Sequence, residues 1–316
     1  MDRTNLTRPG GDWDALRLDV PESARPSLRL LAAHNRRFVL IDTSAESGPE
    51  AYAPSPLPTP APLLLAEVDP EWYGVDYRCP TPYRSPLAPL RAAEARAVGT
   101  VNDPAWYPRW AHRMADELSR NGPLYGGTWV LSRDIDRTRL RFPEFAAPTL
   151  PSWPEGRIDF NAHTYHYWEI LPLHPLASAE DGRVKAYRKQ VRDGSLPPVL
   201  VWWVSMLQTH LVLDGHDRLA ASLAEGRVPP LLVLSRPTEH DVYVAGPVDG
   251  YERRMAAIAD VPEVAASNAV RDAGRQLARD LFRLRAGYGL TRAWPLKGGV
   301  PAWQHLVARH APDWTH

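Results

Sequence analysis

One stretch constrains the local backbone more than any other: Leu211, Val212 and Leu213 run into Asp214, Gly215, His216, Asp217 and Arg218. The short apolar run predicts a strand and Gly215 admits a sharp turn. Leu219, Ala220, Leu223 and Ala224 then recur at helical spacing as far as Gly226. The chain must therefore pass from a strand into a helix of about three turns within a residue or two. Such a junction leaves the first N–H groups of the helix unpaired and aims the positive end of the helix dipole at the turn, which suits an anion. The side chains gathered there extend that chemistry. Arg218 offers a fork of donors for phosphate oxygens, His216 a ring donor, and Asp214 and Asp217 carboxylates that can accept a proton or hold a divalent cation. An ordinary helix start would use the same residues differently, with an aspartate as cap and His216 and Arg218 in solvent. From the residues alone both readings stand.

The flanking sequence adds a resemblance. Leu196, Pro197, Pro198 and Val199 to Val201 come first, then Thr209 to Gly226, then the apolar Val228 to Leu234. Upstream lie Ile170 to Pro175 and a run from Val184 to Gly194. This order, with its Asp-Gly-His-x-Arg core, resembles the ParB/sulfiredoxin superfamily over about residues 165 to 236. The resemblance implies a small α/β domain in which the turn at Gly215 opens a phosphate-binding helix. Sulfiredoxins carry a cysteine just before the corresponding His-Arg pair, whereas the single cysteine here is the distant Cys79. Partitioning ParB proteins carry a Gly-Glu-Arg-Arg variant and continue into DNA-binding helices. The motif here is closest to the free serine kinases, which implies Asp214 as catalytic carboxylate and Mg²⁺ ligand. Gly215, His216, Asp217, Arg218 and His174 would then surround the nucleotide phosphates. Two departures stand out: Asp217 occupies the place of a second histidine, and His174 is followed by Pro175 where the kinases have a glutamate. Glu180 is the candidate substitute for that glutamate, and serine as substrate is not implied.

Charge and composition narrow the classes. Lys plus Arg and Asp plus Glu each number 37, so no net field draws the chain to nucleic acid or to an anionic membrane. One cysteine excludes an internal disulfide framework, and no apolar run approaches bilayer length, so a cytoplasmic protein is expected. There is no Gly-x-x-x-x-Gly-Lys-Ser/Thr segment, which removes the Walker route to nucleotide binding. The 33 prolines and 12 tryptophans predict many rigid, aromatic-packed connections.

In chain order, residues 1 to 27 read as an irregular lead-in, Leu28–Ala33 as an apolar run, and Arg37–Asp42 as a strand. Prolines from Pro49 to Pro62 read as an extended spacer, and Glu67 to Pro89 as an irregular wall with Trp72, Tyr73, Tyr77 and Tyr83. A helix is predicted over Trp106 to Arg120 with Trp110, Met114 and Leu118 buried, then a strand over Gly127 to Ser132. The prolines between 143 and 157 mark the expected boundary. Phe160 to Leu171 reads as one strand, on which His163 and His166 face opposite ways and do not form a metal site. Arg271, Arg275, Arg279 and Arg283 form a stripe on a late helix, and the tail through Trp303 and Trp314 packs back on the body.

The expectation is thus an α/β protein, α+β overall. It has a proline- and aromatic-rich region at 1–157, a ParB/sulfiredoxin-like domain at 158–240 and a helical segment at 241–316. The implied function is ATP or other nucleotide binding with Mg²⁺, as a phosphotransferase or hydrolase acting on a small-molecule acceptor. The alternatives are a non-catalytic nucleotide- or partner-binding module and, disfavoured by the charge balance, a DNA-binding ParB-like protein.

Overall fold

The computed structural model describes residues 1–7, 11–34, 36–44, 61–69, 74–90, 92–133, 152–159, 170–237, 245–258, 267–274, 277 and 290–314. The architecture is mixed, α+β, and rests on two sheets that share one core. The first contains β1 (Asp2–Thr7), β2 (Trp13–Val20), β7 (Gly127–Ser132), β9 (Ile170–Pro172), β10 (Val199–Val204), β11 (Thr209–Asp214) and β12 (Leu231–Ser235). Its strand order is β1-β2-β7-β12-β10-β11-β9, with β9 and β11 parallel, β10 and β12 parallel, and the remaining pairs antiparallel.

The second sheet contains β3 (Leu28–Ala33), β4 (Arg37–Asp42), β5 (Leu64–Val68), β6 (Gly74–Arg78), β8 (Glu155–Asp159) and β13 (Trp294–Pro295). Its strands run in the order β13-β3-β4-β5-β6-β8. The first sheet crosses the boundary expected at 143–157, because β7 pairs with β12, and β13 from the C-terminal segment closes on β3.

Both sheets contribute to the main core: Leu16 and Leu18 of β2 and Leu211 and Leu213 of β11 meet Leu30, Phe38, Leu40 and Leu64. The helix α1 (Ala92–Val98) leads to α2 (Trp106–Asn121), which buries the expected stripe of Trp110, Met114 and Leu118. It stops where Gly122 takes a left-handed conformation, φ 58°, that ends a helix without strain. Each sheet is then covered on its other face. On the first sheet, Val199, Val201, Val212 and Val233 pack on Leu219 of α4 (His216–Ala224). Beside α4 lies α3 (Gly182–Asp193), held to it through Val184, Val191 and Ala221. On the second sheet, Val39, Ile41 and Leu65 pack on Trp303, Leu306 and Val307 of α6 (Gly299–His310), as the tail predicted. A further helix, α5 (Ala245–Ile258), lies between β12 and β13 in the chain.

Two expectations require correction. Residues 1 to 27 are not an irregular lead-in but contain the antiparallel β1–β2 pair. In β2, buried Leu16 and Leu18 alternate with Arg17 and Asp19, which bond to each other on the solvent face. Neither is Glu67 to Pro89 an irregular wall throughout, since β5 and β6 pair there and Tyr77 is fully buried. Its hydroxyl donates to the Ser152 carbonyl, so that aromatic is structural. The predictions at Pro49 to Pro60, Trp72, Tyr73, residues 143–151, His163, His166, Arg275, Arg279 and Arg283 fall outside the described residues.

Candidate functional site

The strand β11 ends at Asp214, Gly215 turns the chain with φ 95°, and α4 begins at His216, as the apolar run and the helical spacing predict. Glycine is required here on two counts. Its backbone lies in the left-handed region, and a Cβ would stand 2.6 Å from the Arg218 guanidinium. No side chain caps α4, in contrast to α3, whose first amides Arg183 and Val184 donate to Asp181. The head of α4 opens instead into a cavity of about 390 Å³, walled by Tyr83, Arg84, Ser85, His174, Arg183 and the turn Asp214 to Arg218 among others.

The expected site residues come together here with one exception. Asp214, Gly215, His216, Asp217, Arg218 and His174 all line the cavity. Glu180 does not: it lies before α3, exposed, with Lys185 at 2.8 Å, whose ammonium holds the Glu180 carboxyl below its usual range. Arg218 is placed otherwise than expected. Expected to hold phosphate, it is 2% exposed, and its guanidinium grips Asp214 Oδ2 at the end of β11. The other carboxylate oxygen, Asp214 Oδ1, accepts a hydrogen bond from the Ser85 hydroxyl at 2.7 Å. Asp217 faces Arg183 across the cavity mouth at 3.4 Å.

His216 and His174 meet edge to face, ring centroids 5.6 Å apart. Burial first, then the neighbouring His174, push the His216 imidazole down to about 4; Asp214 opposes this and Arg218 assists it. At neutral pH His216 is therefore an uncharged ring that can donate one hydrogen bond and accept another. Its Nε2 and the Arg218 Nε are buried and have no hydrogen-bond partner among the described residues. Both residues line the cavity. The wall carries three guanidiniums, Arg84, Arg183 and Arg218, against two carboxylates, so an anionic occupant is favoured.

Sequence reasoning missed Arg84 and Ser85, and it placed Tyr83 in an aromatic wall without joining it to the turn at Gly215. They reach the site because the Tyr83 amide donates to the Leu173 carbonyl, which lays the segment after β6 beside the end of β9. Ser85 and Asp214 are 129 positions apart, and no local pattern links them. Burial raises the Tyr83 hydroxyl well above its ordinary range, with the Asp42 and Asp214 carboxylates adding to the shift. Cys79 is buried, and burial pushes its thiol up to about 12, so it is an inert core residue. Among the described residues no group of three or more His, Cys, Asp or Glu side chains is placed to hold a metal ion. Nor is any described helix long and apolar enough to cross a membrane.

No family model, curated protein or solved structure matches this chain. The functional reading therefore rests on the site itself.

Proposed function

We propose that the cavity at the head of α4 binds the phosphates of a nucleotide, and that the chain acts on it as a phosphotransferase or hydrolase of the ParB/sulfiredoxin kind. One observation carries this reading. The unpaired N–H groups of a helix left without a side-chain cap open into a roughly nucleotide-sized, cation-rich cavity of about 390 Å³. His216 and Arg218, whose buried Nε2 and Nε have no hydrogen-bond partner among the described residues, line the same cavity. Arg84 and Arg183 supply charge on the wall, and the neutral His216 adds a ring that can donate a hydrogen bond.

Both oxygens of Asp214 are engaged, and Asp217 faces Arg183, so these residues do not form a cage for a resident Mg²⁺. An ion entering with the nucleotide would be held chiefly by the phosphates themselves, as this cation commonly is. Asp214 is the candidate proton acceptor, with its orientation fixed by Arg218.

Phosphorus NMR of the purified chain with ATP and Mg²⁺, beside an Asp214→Ala control, tests the reading. Turnover that the substitution abolishes in a folded variant supports it. The engagement of both Asp214 oxygens favours a second reading, a non-catalytic nucleotide-binding module, for which the same experiment shows binding without turnover.

A further inference from the structure

The cavity also holds a hydroxyl group arranged as an enzymic nucleophile is arranged. The Ser85 Oγ accepts a hydrogen bond from the Leu87 amide at 3.1 Å and donates its own proton to Asp214 Oδ1 at 2.7 Å. The Leu87 bond fixes the hydroxyl rotor, because the oxygen that accepts from the amide must turn its hydrogen elsewhere, toward the carboxylate. Asp214 is in turn fixed by Arg218 on its other oxygen. The chain of contacts is thus nucleophile, base and orienting group, contributed by three separate positions on one cavity wall. Ser85 is exposed and lines the cavity.

We propose that Ser85 is the phosphoryl acceptor: the chain phosphorylates itself on this residue from a nucleoside triphosphate bound at the head of α4. The inference rests on the nucleotide reading above and adds the acceptor to it. In the step, Ser85 Oγ forms a bond to the γ-phosphorus while the bond from that phosphorus to the β,γ-bridging oxygen breaks. The hydroxyl proton passes to Asp214 Oδ1, and a nucleoside diphosphate leaves with the electron pair. Nothing is oxidised or reduced. Once protonated, Asp214 no longer repels the new phosphate monoester, and Arg84 and Arg183 on the same wall are its counter-charges.

Full-length protein is incubated with ATP and Mg²⁺, quenched in acid, weighed intact, and mapped by fragmentation, while ADP release is followed in parallel. The expected result is a gain of one phosphoryl group at Ser85. The gain is lost in Ser85→Ala and kept in Ser85→Thr. Asp214→Asn slows it by about 100-fold, the scale of a lost general base. Because Asp214→Asn also disturbs the contact with Arg218, the Ser85 variants carry the test if that protein does not fold. ADP release with an unmodified Ser85, or at an undiminished rate in Ser85→Ala, overturns this inference and leaves the nucleotide reading standing. Absence of both ADP release and nucleotide binding overturns both.

Discussion

Two helices in this chain begin in the same way and end up with different tasks. Both α4 and α6 start from a left-handed glycine, Gly215 at φ 95° and Gly298 at φ 85°, and neither has a side-chain cap. At α6 the glycine makes room for a methyl group, because a Cβ on Gly298 would stand 3.0 Å from Ala302 Cβ. The helix then spends its apolar face on Val39 and Leu65, and Trp303 is sealed with its indole donating to the Phe38 carbonyl. At α4 the glycine makes room for a guanidinium, and that guanidinium holds a carboxylate at a cavity wall. A glycine-initiated helix is therefore no sign of a site. What distinguishes α4 is the polar cluster that its glycine admits and the open volume in front of it.

The sharpest way to separate the two is to damage the packing helix. Trp303→Ala should lower the stability to urea by about 4 kcal/mol, the usual cost of emptying a large aromatic site. The protein that remains folded should bind nucleotide as the wild type does. Substituting the two glycines sharpens the contrast. Gly215→Ala forces a side chain into the left-handed region and against an Arg218 that cannot retreat, at a cost of about 2 kcal/mol, and it should remove nucleotide binding. Gly298→Ala should cost about 1 kcal/mol and leave binding intact.

The remaining test varies pH and acts on His216. Above pH 6.5 His216 is neutral in both the folded and the unfolded chain, and the contribution of the folded environment is fully present. Below it the unfolded chain takes up a proton that the folded chain refuses until about pH 4, so stability is lost across that window. The unfolding free energy from urea curves should fall there by at most about 1.4 kcal/mol per pH unit, and His216→Gln should flatten that slope. A slope unchanged by the substitution would mean that the ring is not held neutral by its surroundings.

The residues that were legible in the sequence are those whose signal is local. Leu211 to Leu213, Gly215 and the apolar spacing after it determine β11, the turn and α4. The stripe of Trp110, Met114 and Leu118 likewise determines the buried face of α2. The strand β1 was not legible because it lies at a sheet edge with most of its side chains in water, so no apolar alternation marks it. Ser85 and Arg84 were not legible for a different reason. They join Asp214 only through the folding of one segment against another, and their neighbours in the chain carry no sign of it. Arg218 shows the limit from the other side: its position was readable, but whether it faced a ligand or a carboxylate depended on rotamer and packing.

The central claim is that the first amides of α4 hold phosphate, and amide NMR during a titration with ATP and Mg²⁺ tests it most directly. The account predicts that the His216, Asp217 and Arg218 amides shift most and saturate together, while the amides at the head of α6 stay in place. Saturable nucleotide binding with those three amides unmoved, or no binding at all, would contradict it.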